Sequence, residues 1–352
     1  MSNTIQDLIT TSELPLRDLI RGKKVLYLTV KNKSYIRSYQ YKKIIDEEAA
    51  SGICLFSEKG NILLRVIDLR LQLDRVDLRD IDVVILGFLP QLLIKEVIGR
   101  LQRAGRSDAV VISDFFLSLW DTVTLDRRYV SPDGRIGRKL KKMDEAACRL
   151  SQMVITDTKA NADFVVSEFG AGTDKTYAMY LLPDKEVYNT DLLNAKCDSK
   201  QPETLSEKGN PFKVLYFGTG LPLQGTDIIV DAAEKLQGQD IIFTLVGNIR
   251  GIDDKQSNVV VHKWLKQPEL ARLIAESDLC LAGHFAGDID KADRTIPGKA
   301  YIYEMMNKPM ILGDTRANRE LFHEDNRHIF VSLGDSEELA EAIIVAAAQR
   351  KI

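Results

Sequence analysis

Short apolar runs alternate with amphipathic stretches along most of the chain. Residues 25–30, 53–56, 83–86, 109–112 and 153–156 are near-continuous apolar runs, VLYLTV and VVIL among them. Between them, residues 39–50, 90–103, 139–150 and 159–169 carry helical spacing, the last closed by Gly170. Strands this uniformly apolar are what a parallel sheet covered on both faces requires. Strand–helix alternation predicts a doubly wound α/β sheet, with residues 177–182 as its last strand. Ahead of it, residues 5–10 predict a short helix and 16–20 a turn. The apolar stretch 61–73 leaves strand and helix open.

The rhythm breaks at residues 183–211, a polar, proline-bearing segment that reads as a joining region. It then restarts. Residues 213–217, 241–246, 259–262, 279–281 and 310–312 predict strands, and 226–236, 268–276 and 337–348 predict helices. The expected organisation is therefore two domains, 1–182 and 212–352, with the last helix free to pack back on the first. Sheets of this kind bind ligands beyond the C-terminal ends of their strands, so tandem copies predict a cleft.

Residues 284–320 concentrate polar chemistry at such an edge. A loop with Asp288, Asp290, Lys291, Asp293 and Arg294 precedes Pro297 and Gly298, which open a helix running to about residue 307. A helix N-terminus favours phosphate, and Lys299 lies in its first turn with Arg294 just upstream. Glu304, an acceptor-only group, suits a pair of hydroxyls such as those of a ribose. That polarity matches a nucleotide diphosphate; a surface helix with solvated charges is the alternative.

A chain of 352 residues predicts two domains, and 45% hydrophobic with 28% charged residues is the composition of a globular protein. The net charge of -3 provides no general field for nucleic acid. Cys54, Cys148, Cys197 and Cys280 form no C-x-x-C pair, and His262, His284, His323 and His328 lack ligand spacing. No metal site is expected, and the thiols read as reduced and cytoplasmic. With neither signal peptide nor membrane span, membrane contact is expected only at the periphery. The basic run of Arg127, Arg128, Arg135, Arg138, Lys139, Lys141 and Lys142 is a solvated face, or a contact for anionic lipid or a lipid-diphosphate acceptor.

The segments VLYFGTGLPLQGTDIIVDAAEKL, IIFTLVGN, NVVVHKWLKQPELARLIAESDLCLAG and IPGKAYIYEMMNKPMILGDTRANREL follow one another as in the family 4 nucleotide-sugar-dependent glycosyltransferases. DFFLSLWDTVTLDRR and ITDTKANADFVVSEFG resemble the same family's first domain. The resemblance covers most of the chain. It implies the GT-B fold: two Rossmann-like domains facing across a cleft, the first for the acceptor and the second for the donor. It implies a retaining glycosyltransferase that moves a sugar from a nucleotide diphosphate donor to a glycan or lipid-linked acceptor, in bacterial surface polysaccharide synthesis, without a metal or cofactor. Donor residues would be Gly218, Thr219, Gly220, Asn248, His284, Arg294, Lys299, Glu304 and Glu320, with Glu304 on the ribose and Glu320 near the sugar. Lys299 and Arg294 would hold the leaving diphosphate, and Asp114 and Asp121 would meet the acceptor or cap their loop. Two departures stand out. The first glutamate of the family's pair falls at Ile296, and the cations of its glycine loop are replaced by Thr219 and Gln224. A nucleotide-sugar 2-epimerase and a non-catalytic partner subunit are the alternatives.

Overall fold

The chain divides into two compact units, Met1–Leu182 and Pro183–Ile352. The computed structural model describes residues 4–189, 211–252 and 256–350, so most of the joining region lies outside the described residues.

The first unit is built on β1 (Lys24–Thr29), β2 (Ser51–Phe56), β3 (Val83–Gly87), β4 (Val110–Asp114), β5 (Met153–Thr156) and β6 (Thr176–Ala178), in the order β2-β1-β3-β4-β5-β6. All pairings are parallel. Alternate side chains enter opposite cores. Val25, Tyr27, Val83 and Ile85 pack with Leu16, Tyr41 and Ile44, whereas Leu26, Leu28, Val84 and Leu86 pack with Val66, Leu69, Val97 and Leu101. Helices on both faces explain why each strand reads as one apolar run.

The second unit repeats the plan with β7 (Phe212–Gly218), β8 (Ile241–Gly247), β9 (Val259–His262), β10 (Leu279–Gly283), β11 (Met310–Gly313) and β12 (His328–Val331). The order is β12-β11-β10-β7-β8-β9, again with parallel pairings. Leu339, Ala340 and Ile343 of the closing helix Ser336–Gln349 belong to this unit's own core. The chain leaves β7 toward β8 and β9, then returns to lay β10 on the other side of β7. The C-terminal ends of β7 and β10 therefore form a topological switch point, where such sheets bind ligands.

Several elements differ from the sequence expectation. The stretch 61–73 is the helix Ile62–Leu73, capped by Asn61, whose side chain accepts from Leu64 N at 3.0 Å. The expected strand at 177–182 stops at Ala178 because side chains take over its backbone: Met179 O accepts from Arg37, Tyr180 O from Gln40, and Tyr180 N donates to Ser12. The helix expected from residue 139 begins at Arg135. The edge strand β12 has no counterpart in the apolar pattern, being four residues long after a polar loop.

Candidate active site

At the switch point of the second sheet the strand ends are shaped by glycine. A Cβ at Gly218, the last residue of β7, would lie 2.2 Å from Gln224 Oε1 and 2.5 Å from the Tyr216 hydroxyl. Gly220 has φ +65, and a Cβ there would meet Asn248 O at 2.5 Å. Gly220 thus lets the loops after β7 and β8 close against each other, and Gly218 leaves room for Gln224 and Tyr216. Asn248 and Thr219 are exposed at that rim.

β10 ends in a β-bulge after Leu281, and His284 follows with φ 58, a left-handed conformation uncommon for a non-glycine residue. His284 Nδ1 lies 3.1 Å from Thr295 O and 3.3 Å from Thr295 Oγ1. The carbonyl only accepts, and the hydroxyl already donates to Lys291 O, so Nδ1 carries the hydrogen and Nε2 is left as an acceptor. Burial, with Lys299 and Lys291 nearby, pushes the imidazole down to about 3, so it is neutral.

Lys299 occupies the middle of this edge. It lies in the first turn of the helix Gly298–Met305 and is 6% exposed. Its Nζ is 4.5 Å from the Tyr216 ring centroid and 3.4 Å from Gln224 Oε1, and a Cβ on Gly283 would come within 2.8 Å of it. Gln224 also accepts from the Tyr216 hydroxyl. Burial pushes the amine down to about 7. A buried amine with one long neutral hydrogen bond and a ring face for company is poorly satisfied, and an anion would complete it.

Arg294 is buried on the short helix Lys291–Arg294 that approaches the same edge. Asp293 binds Arg316, accepting its backbone N–H at 2.9 Å and its Nε at 2.5 Å, so it braces the turn after β11. Glu320 caps the end of the helix Arg316–Arg319 in that turn. Among the described residues no cluster of three or more His, Cys, Asp or Glu could hold a metal ion.

The structure does not bring Glu304 to Lys299. Five positions on a helix turn the side chain by about 140°. Glu304 lies in the helix's last turn and accepts from His328 Nε2 at 2.8 Å and from Arg327 at 3.3 and 3.4 Å, at the start of β12. Burial pushes its carboxyl up, but His328 and Arg327 outweigh this and hold it below the usual range. Asn307, with φ 53, ends the helix: its N–H bonds Glu304 O and that of Lys308 bonds Tyr303 O. Glu304→Gln is therefore expected to cost roughly 1–2 kcal/mol of stability while leaving nucleoside diphosphate affinity within about twofold of wild type. Urea unfolding and calorimetric titration check this; a mutant that no longer distinguishes ribose from 2′-deoxyribose nucleotides would put the carboxylate on the ribose instead.

In the first unit, Asp114 is fully buried and paired with Arg37, Nη2 to Oδ1 at 3.2 Å and Nε to Oδ2 at 3.3 Å. Arg37 also donates to Thr156 O and Met179 O. This is a strut between β4, β5 and the helix Ile36–Glu48, not a carboxylate open to an acceptor. Asp121 is buried where a π-helical turn, Asp121–Asp126, begins. The loop before it is organised by buried Asp144, which accepts from Ser118 Oγ, Gln91 Nε2 and the N–H groups of Leu119 and Trp120. Burial pushes Asp144 up to about 6.

Tyr216 and Thr295 belong to the site and carried no sequence signal. Tyr216 shares its strand face with Phe212 and Val214 and reads as core.

Residues 211–349 match the family model described as glycosyl transferases group 1. No curated protein matches the chain in sequence. Among solved structures, Alr3699/HepE from Anabaena, in complex with UDP and glucose, is 15% identical with a TM-score of 0.59, covering 94% of this chain and 91% of that one. The catalytic domain of starch synthase IV from Arabidopsis thaliana, bound to ADP and acarbose, is 10% identical with a TM-score of 0.66, covering 94% and 92%. A putative UDP-N-acetylglucosamine 2-epimerase from Listeria monocytogenes is also similar, at 10% identity and TM-score 0.51, covering 94% and 89%. Identities this low speak to the fold alone, and the fold is common to transferases and an epimerase. The match over the second unit separates them: residues 211–349 match the group 1 glycosyl transferases, and the chain as a whole has the GT-B fold.

Proposed function

We propose that this glycosyltransferase takes its sugar from a nucleotide diphosphate donor bound at the C-terminal edge of β7 and β10, and passes it to a glycan or lipid-linked acceptor held by the first unit. The observation that carries the reading is Lys299, a buried amine set over Tyr216 at the switch point of the sheet and one turn into a helix. When the sugar–oxygen bond breaks, negative charge develops on the diphosphate. A preorganised ammonium in a water-poor site stabilises that charge more than the ground state, which is where electrostatic catalysis acts. Arg294 and the N-terminal end of the helix Gly298–Met305 add to the same field, and no metal is needed to neutralise the leaving group. His284, neutral and acceptor-only at Nε2, suits a sugar hydroxyl.

Retention at the anomeric carbon and a place in bacterial surface polysaccharide synthesis rest on the resemblance of the segments quoted above. The UDP- and ADP-bound neighbours support a nucleotide in this fold without selecting the base. The test is a thermal-shift panel of uridine, adenosine, guanosine and cytidine diphosphates, followed by nucleoside diphosphate release from the matching sugar donors with and without EDTA. A ligand at ~100 times its dissociation constant should stabilise the protein by about 2.7 kcal/mol. Release that EDTA does not slow is expected. Failure of every nucleotide to bind would overturn the reading, and release that EDTA abolishes and magnesium restores would overturn its metal-free part.

A further inference from the structure

We propose that the first two turns of the helix Arg135–Leu150, with the turn before them, are a docking surface for an anionic lipid bilayer. Residues 127–142 hold seven cations and one carboxylate, in a chain whose net charge is -3. Arg135, Arg138, Lys139 and Lys142 are all exposed and fall at i, i+3, i+4 and i+7, so they share one helix face. None of the four is paired with a carboxylate among the described residues. Lys141, by contrast, is engaged: it pairs with Glu168 and lies 4.8 Å over the Trp120 ring.

Helix physics opposes this arrangement. The positive end of the helix dipole disfavours cations in the first turn, and like charges at i,i+4 repel. The N-cap is Gly134, with no side-chain cap, and the first turn holds no acidic residue. A face that costs helix stability and forms no internal pair is accounted for by a partner that brings the negative charge. The partner's nature follows from two further side chains: Tyr129 is 71% exposed and Ile136 is 59% exposed, both beside the cations. An aliphatic side chain gains nothing from a polyanion in water, whereas Tyr and Ile flanked by Arg and Lys fit the boundary between headgroups and acyl chains. Among the described residues no helix is long and apolar enough to cross a membrane, so this is a contact at the surface. It is independent of the donor site.

The experiment is co-sedimentation of the full chain with vesicles of phosphatidylglycerol and phosphatidylcholine in equal parts, against pure phosphatidylcholine, at about 0.1 and 0.5 M salt. Binding to the anionic vesicles alone, weakened by salt, is expected. Each cation near an anionic surface contributes roughly fivefold to partitioning, so Arg135→Gln, Arg138→Gln, Lys139→Gln and Lys142→Gln together should lower it by roughly 10²–10³-fold. Gln has a helix propensity close to those of Arg and Lys, so this variant should melt at the wild-type temperature or above. Tyr129→Ser with Ile136→Ser should leave a weaker binding that salt abolishes. Equal binding by wild type and the quadruple variant, equal binding to neutral vesicles, or tighter binding to soluble heparin than to the vesicles would overturn the proposal.

Discussion

Lys299→Met is expected to lower donor turnover by roughly tenfold to 150-fold while leaving the ligand-free protein as stable as wild type or more so. A charge-assisted bond to a diphosphate contributes about 1.5–3 kcal/mol, and ~1.4 kcal/mol is one decade in rate. The stability side follows from the same burial. The amine is pushed down to about 7 from its ordinary 10.5, so the folded protein disfavours its charged form. Between those two values the unfolded chain binds the extra proton, and folding stability from this group rises with pH across that window. Below it the penalty is present in full, on the order of a few kcal/mol. The advantage of Lys299→Met over wild type should therefore be largest at or below pH 7 and shrink toward pH 10. Turnover assays with urea titrations at several pH values check both halves; a mutant within about threefold of wild-type turnover would remove Lys299 from the leaving group.

The second large effect falls on the first unit. Asp114→Ala is expected to destabilise it by about 3–5 kcal/mol, because it strands the Arg37 guanidinium in the core. Burial pushes Asp114 up in spite of Arg37, so the folded protein holds this carboxylate at an energetic cost. Replacing both partners by apolar residues, Arg37→Met with Asp114→Leu, should restore most of the loss. Urea unfolding followed by circular dichroism measures each variant. If Asp114→Ala keeps wild-type stability and loses only turnover, the residue meets the acceptor after all.

The inner strands such as β3 were legible because they are buried on both faces and read as unbroken apolar runs, whereas β12, a four-residue edge strand after a polar loop, was not. The order of the strands was not legible either, since nothing local in β10 records that it returns to β7. Asp114 looked like a loop acid because it ends a strand; its partner Arg37 is 77 positions away. Lys299 was legible through its helix start, but Gln224, 75 positions earlier, and Tyr216 are brought to it only by the fold. For Glu304 the spacing from Lys299 already set the two on different faces of the helix. The segment resemblance implies a ribose contact, and the structure adds that the carboxylate accepts from His328 and Arg327.

A diphosphate held on Lys299 at the β7–β10 edge would change the protonation of that amine. An amine held near 7 in the free protein is largely neutral at pH 8, and a bound diphosphate restores its proton. Calorimetric titration of the nucleoside diphosphate selected by thermal shift, at pH 8 in buffers of different ionisation enthalpy, measures that uptake. Uptake approaching one proton per nucleotide is expected in wild type, with none attributable to this group in Lys299→Met, whose affinity also falls. Tight binding with no proton uptake, or the same uptake in both proteins, would contradict a diphosphate held on Lys299.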